Sequence, residues 1–245
     1  MRARRAGFDA ALGRPQGAAL YSGPVIDPSA RIHPSAELEA DVSVGPGTSI
    51  WHRAQLRTGA SVGAECVIGR DAFIDEGVSI GDRVKIQNAA LVYHGVSVED
   101  GVFIGPGAIL TNDRTPRAVT SAGDLAVADD WTVSPITLRR GSSIGAGAVV
   151  VAGVDVGESA MAGAGAVVTK NVASFALVVG NPARRIGWVC GCGRRLTDAD
   201  GALAGAETPA AGAELSCAEC ERVYTYVPDS EGLEERVRPR REVTA

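Results

Sequence analysis

One aliphatic residue recurs every six positions along most of this chain: Ile26, Ile32, Leu38, Val44, Ile50, Leu56, Val62, Ile68, Ile74, Ile80, Ile86, Val92, Val98, Ile104 and Leu110. Four residues after each comes a small or β-branched residue, among them Ala30, Val42, Thr48, Ala54, Cys66, Ala72 and Val84, and Gly, Asp, Asn or Glu fill many places between. An amphipathic helix needs apolar spacings of three and four, and a half-buried strand alternates by two without a six-residue punctuation. The pattern therefore predicts an all-β fold, a parallel β-helix of hexapeptide repeats. Each hexad is a short strand and a turn, and three hexads close one triangular coil. The aliphatic position fills the interior, and stacking supplies the core that no single repeat can form.

The period breaks after Leu110 and resumes at Leu138, Ile144, Val150, Val156, Ala162 and Val168, which gives about seven coils. The irregular stretch 111–137 reads as a loop inserted into the helix. A long irregular insertion in a compact repeat domain is usually functional or disordered. The resulting division is a disordered leader over 1–24, the β-helix over 25–173, a capping segment over 174–189, a cysteine-bearing module over 190–228 and a charged tail over 229–245. In the capping segment, Asn181 followed by Pro182 suits the N-cap and first position of a short C-terminal helix.

Composition narrows the function. A net charge of -5 argues against broad nucleic-acid binding. No apolar run reaches the length of a membrane span. The basic start, MRARRAGFDAALGRPQG, lacks the apolar stretch of a secretory signal, so a cytoplasmic protein is expected.

Stacking in steps of eighteen converts sequence into geometry. Glu76, His94 and Asn112 share one hexad position on successive coils, with Asp75, Tyr93 and Thr111 as the neighbouring row. On a preceding face His52, Arg70 and Asn88 line up likewise. Imidazole exchanges a proton near neutral pH, so His94 reads as a general base oriented by Glu76, or as an exposed turn histidine. Asn112 and Asp113 open the insertion and read either as ligand contacts or as turn formers. Arg117 offers a fork of donors for a carboxylate or diphosphate, or is a solvated loop arginine. Trp51 and His52 read as facing a nucleotide or a neighbouring subunit, and Trp51 by itself reads as packing at an interface.

The segments SIWHRAQLRTGASVG, VSIGDRVKIQNAALVY, VEDGVFIGPGAILTNDRTPRA, GAGAVVTKNV and ALVVGNPARRIGW resemble the hexapeptide acyltransferase superfamily over about Ile32 to Trp188. Within it they are similar to bacterial N-acetyltransferases that acylate the 3-amino group of a nucleotide-linked aminosugar, such as a UDP-linked 3-amino glucuronate. The resemblance implies a left-handed helix, a homotrimer, acetyl-CoA as co-substrate and a UDP- or dTDP-linked aminosugar as partner. It places Asn88 of KIQN nearest the sugar amine, with Gln87, Tyr93, Asn112 and Asp113 about the sugar. It points to Gly145, Gly147 and Ala164 for the pantetheine arm, with Lys170, Arg184 and Arg185 to meet the phosphates or to serve as ordinary surface charge. Asn171-Val172-Ala173 departs from the NVP of many relatives, a change of turn rigidity more than of chemistry.

Cys190-Gly-Cys192 and Cys217-Ala-Glu-Cys220 form two close pairs, the usual way to present four thiolates to tetrahedral zinc. The expectation is a small zinc-ribbon-like extension with structural Zn2+; the alternative is a reduced, metal-free tail. Cys66 falls at an interior corner and reads as inert. Two other enzymes are conceivable on this fold. A metal-dependent carbonic anhydrase needs three converging histidines, and His33, His52 and His94 do not share a column. A sugar O-acetyltransferase would lean harder on a general base. A non-catalytic trimeric binding module remains the third possibility.

Overall fold

The computed structural model describes residues 22–228 and 232–235. Twenty-one short strands, from Val25–Ile26 to Val167–Val168, stack into three walls, seven strands deep. Pairing is parallel, and partners lie eighteen residues apart, as in Lys85 with Val67 and with Phe103. The first wall begins with Val25–Ile26, the second with Arg31–Ile32 and the third with Glu37–Leu38. The hexad count and the coil count thus agree with the repeat.

The interior is laid down in columns. Ile50, Ile68, Ile86, Ile104 and Ile144 line the second wall, and Leu56, Ile74, Val92, Leu110 and Val150 line the third, all essentially without solvent access. The small residue of each hexad sits in a corner: Ala54, Ala72, Ala90, Ala108 and Ala148 are sealed as completely. Cys66 belongs to this set. Burial pushes its thiol up, and its Sγ lies 3.1 Å from the Gly81 carbonyl oxygen, so it is a packing residue.

The insertion leaves one coil and rejoins the next without disturbing the register. Val92 pairs with Leu110 eighteen residues on, whereas Leu110 pairs with Val150 forty residues on, so twenty-two residues are accommodated at one corner. The loop carries a Val119–Leu125 bridge and a 3-10 turn at Ala128–Asp130. Its last residues, from Ile136, already belong to a strand of the first wall.

The capping segment corrects one expectation. No α-helix occurs among the described residues. Instead Ala176–Val179 and Arg184–Trp188 form an antiparallel pair that extends the second wall to nine strands, and Asn181-Pro182 is a cis peptide in the turn between them. Asn-Pro is a turn signal as well as a helix start, and Ala176-Leu177-Val178-Val179 alternates buried and half-buried side chains as a strand does. The open edge of the last coil is covered by a strand in place of a helix.

Beyond Trp188, Glu214–Ser216, Val223–Val227 and Gly232–Glu235 make a small antiparallel sheet. Phe175 of the cap packs against Tyr224 of this sheet with ring centroids 4.8 Å apart and planes tilted by 54°, and Trp188 meets Tyr226 edge-on at 5.9 Å. Residues 1–21 of the expected leader lie outside the described residues. So does most of the expected tail over 229–245, except that 232–235 form a sheet strand.

Candidate functional site

Leaving each strand of the third wall, the chain turns toward the first wall within a few residues. Glu76, His94 and Asn112 occupy that edge on successive coils, as the register of Phe73, Leu91 and Ile109 requires. His94 is exposed, and its Nδ1 lies 2.7 Å from the Glu76 carbonyl oxygen one coil below. A carbonyl only accepts, so Nδ1 carries the hydrogen, which leaves Nε2 as the ring nitrogen able to accept a proton. Glu76 therefore orients the imidazole with its main chain; its carboxylate is not the partner. Asp75 braces the turn: it accepts from the His94 N–H at 3.2 Å and from the Glu76 N–H at 2.8 Å, and Arg57 reaches it at 3.4 Å.

The insertion returns beside this histidine. Ser134 N–H donates to the Asn112 carbonyl at 2.9 Å, and Ile136 N–H to that of Gly95 at 3.3 Å. Gly95 has φ +85, and any Cβ there would collide with the Val133 side chain. Tyr93 is half-buried with its ring tilted against Phe73 at 5.6 Å. Asn112 and Asp113 are half-buried at the mouth of the insertion, and Asp113 Oδ1 accepts from Thr115 N–H at 2.7 Å, a turn-forming bond. Arg117 is exposed and folds onto the Pro116 carbonyl at 2.8 Å. Val133 and Ser134 lie in the aperiodic stretch, where no repeat could have placed them.

A second group lies on another edge, where the second wall turns into the third. His52, Gln87, Asn88, Gly145, Gly147 and Ala164 all belong there. Asn88 is exposed, with Oδ1 accepting from the Arg70 N–H at 2.9 Å. A Cβ on Gly145 would meet the Ala164 nitrogen at 2.5 Å, so the close approach of the next coil demands glycine at this site, whatever else passes over it. His94 and Asn88 therefore stand on different edges of one prism, and a single chain does not bring them together. The rings of His33 and His52 do stack, at 3.5 Å, but His94 is on the other edge and the three histidines do not converge within the chain.

At the capped end, Lys170, Arg184 and Arg185 line one cavity of about 570 Å³ together with Asn171, Thr208 and Tyr226. Lys170 and Arg184 are exposed. Arg185 is committed to the fold: it donates to the Ala206 carbonyl at 3.2 Å and to Thr208 Oγ1 at 2.8 Å, with its guanidinium 4.5 Å from the Trp188 ring centroid.

The four cysteines of the module converge. Cys190, Cys192, Cys217 and Cys220 have their sulfurs within 4.8 Å of one another, with Cys190–Cys220 at 3.4 Å and Cys192–Cys217 at 3.6 Å. Four thiolates at the zinc–sulfur distance define a tetrahedron with edges of about 3.8 Å, so the set fits that ion. The tighter Cys-x-Cys spacing is absorbed by a hairpin in which Cys190 N–H meets the Arg194 carbonyl at 2.7 Å. Burial pushes the Cys190 thiol up to about 12 despite the Tyr224 hydroxyl 3.0 Å away. Burial also acts on Cys217, but the Cys220 and Glu219 backbone N–H groups and the neighbouring thiols outweigh it and bring it down to about 7.

The sequence pattern of "Bacterial transferase hexapeptide (six repeats)" matches residues 77–112, and "Hexapeptide repeat of succinyl-transferase" matches 59–94 and 133–170. The chain is 52% identical over 59 residues to the dTDP-3-amino-3,6-dideoxy-alpha-D-galactopyranose 3-N-acetyltransferase of Aneurinibacillus thermoaerophilus, covering 24% of this chain and 31% of that protein. It is 36% identical over 83 residues to the serine acetyltransferase of Buchnera aphidicola subsp. Schizaphis graminum, covering 34% of this chain and 31% of that protein. The match thus spans less than a third of either relative's length. Among solved structures, a hexapeptide transferase family protein from Anaplasma phagocytophilum superposes with a TM-score of 0.46 at 23% identity, covering 68% of this chain and 80% of that one.

Proposed function

We propose that this chain belongs to the hexapeptide-repeat transferases and is an acetyl-CoA-dependent N-acetyltransferase that acylates the 3-amino group of a UDP- or dTDP-linked aminosugar. The observation that carries the reading is the exposed His94 ring beside the insertion, its Nδ1 fixed by the Glu76 carbonyl at 2.7 Å. The 52% identical stretch shared with a dTDP-3-aminosugar 3-N-acetyltransferase supports the substrate class.

In the reaction, the neutral sugar nitrogen attacks the thioester carbon. As the carbon–nitrogen bond forms and the carbon–sulfur bond breaks, His94 Nε2 accepts the amine proton and the CoA thiolate departs. Asn88 holds the sugar amine and Gln87, Tyr93 and Asn112 contact the sugar. Gly147 and Ala164, exposed on the late coils, leave room for the pantetheine arm, and Lys170 and Arg184 face the phosphates across the end cavity. Since His94 and Asn88 lie on different edges, the working unit is a homotrimer in which one protomer's His94 edge faces the Asn88 edge of its neighbour.

Cys190, Cys192, Cys217 and Cys220 hold a structural zinc ion, with all four positions filled by protein and none left for water. Thiols kept reduced for metal suit the cytoplasm. No helix among the described residues is long and apolar enough to cross a membrane.

The test is CoA-thiol release from acetyl-CoA with a panel of UDP- and dTDP-linked 3-aminosugars. Turnover on at least one member is expected. No turnover on any of them, with the protein trimeric, overturns the assignment.

A further inference from the structure

The lower coils of the Asn88 edge carry an arrangement that acetyl transfer itself does not use. Trp51 and His52 leave the strand Ser49–Ile50, and His33 leaves Arg31–Ile32 one coil below. His33 and His52 stack at 3.5 Å with planes 27° apart, and Trp51 lies offset from His52 at 6.2 Å with planes only 15° apart. Three rings thus share nearly one orientation across two coils. The array is held from below: His33 Nδ1 accepts the Ser35 N–H at 3.1 Å and meets Ser35 Oγ at 2.9 Å, and Ser35 Oγ accepts the Arg53 N–H at 3.1 Å. Within one chain Trp51 nevertheless keeps 49% of its surface exposed, on the edge that the proposed trimer turns toward a neighbouring protomer. A large ring that its own chain leaves half uncovered on a rigid turn is a surface that a flat, weakly hydrated ligand held between protomers would cover.

Charge next to the rings points to the kind of partner. Arg53 clasps Asp71 with two bonds, 2.7 and 2.8 Å, and Arg70 reaches the same carboxylate at 3.0 Å. Two guanidinium groups share one carboxylate, so the cluster keeps an excess positive charge, and both side chains are more than half exposed. Guanidinium forks suit phosphate oxygens. Asn88 stands two coils above His52 in the same column, about 10 Å along the axis at the usual strand spacing.

We infer that Trp51, His52 and His33 form a stacking shelf for the nucleobase of the sugar nucleotide, with Arg53 and Arg70 meeting its diphosphate. The shelf rests on the proposed nucleotide-sugar activity and adds to it where the base lies. The nucleotide runs down the edge from Asn88 toward Trp51. Stacking is tolerant of base identity because every base has a π face. The shelf therefore supplies affinity for UDP and dTDP alike, and discrimination between them lies elsewhere.

The test is calorimetric titration of the full chain with UDP, dTDP and inorganic pyrophosphate, alongside the oligomeric state by light scattering. Trp51→Ala is expected to weaken UDP and dTDP about tenfold or more while changing pyrophosphate affinity little, and Trp51→Phe to recover most of the loss. KM for the sugar nucleotide rises and kcat holds. If the wild-type chain binds UDP or dTDP and Trp51→Ala binds it equally well, the shelf falls and the activity assignment stands. If Trp51→Ala dissociates a wild-type trimer, Trp51 is an interface residue and the shelf also falls. A wild-type chain that binds neither nucleotide overturns both readings.

Discussion

His94 and Glu76, one coil apart, are joined through a side chain on one and the main chain on the other, Nδ1 to carbonyl oxygen at 2.7 Å. A main-chain oxygen cannot be removed by changing the side chain that follows it. Glu76→Gln should therefore keep kcat within about threefold, whereas His94→Gln, which cannot accept the amine proton, should lose roughly a hundredfold or more. Steady-state rates with both variants at equal trimer content check this. A large loss in Glu76→Gln would return the orienting role to the carboxylate.

The cysteine module should bind about one zinc per chain. Cys217→Ser should lower the metal content and the melting temperature together, because Cys217 is buried beside the packed Tyr224 sheet. Elemental analysis and a thermal melt with and without a chelator measure both. A wild-type chain purified without metal and unaffected by chelator would leave the sulfurs as a reduced cluster.

Gly145 tests whether small residues on the late coils serve the ligand or the fold. Its missing Cβ leaves room for the backbone of the next coil, 2.5 Å from where that atom would stand. Gly145→Ala should cost about 1–3 kcal/mol of stability. Gly147 has no atom within 4 Å of its would-be Cβ, and Gly147→Ala should cost less, through its φ of +63 alone. Chemical denaturation of the two variants separates these cases.

Acid should loosen the lower coils. Burial raises the Glu39 carboxyl, but bonds from Thr58 Oγ1 at 2.8 Å and Thr58 N–H at 3.0 Å, with Arg57 beside them, outweigh it and hold it below its usual value of 4.5. A depressed carboxyl adds stability above its unfolded value, and that stability is lost as pH falls through the folded one. The acid flank of a melting-temperature profile should flatten in Glu39→Gln. An unchanged profile would mean that these bonds do not persist in solution.

Much of this architecture was readable in the chain because the hexad is a local rule. Ile50, Ile68 and Ile86 announce a wall by spacing alone, and Glu76, His94 and Asn112 fall into one column by counting eighteens. What could not be read depends on contacts without a period. Asn181-Pro182 fits a helix start and a hairpin turn equally, and pairing of Ala176–Val179 with Arg184–Trp188 decided between them. The four cysteines were legible as a ligand set, but not the Phe175–Tyr224 contact that seats their sheet on the solenoid. Sequence offers Arg185 as a phosphate ligand or as surface charge and does not show its bonds to Ala206 and Thr208. Counting in eighteens gives the row of a residue, while the distance between two edges of a triangle emerges only when the coil closes.

The twenty-two extra residues at the corner after Leu110 cost the solenoid no phase, since Leu110 and Val150 pair as Val92 and Leu110 do. The corner therefore behaves as a socket. Segments of other lengths can be plugged between Leu110 and Ile136 while the rungs above and below stay as they are. The side chains beside His94 can then change independently of the scaffold that carries them.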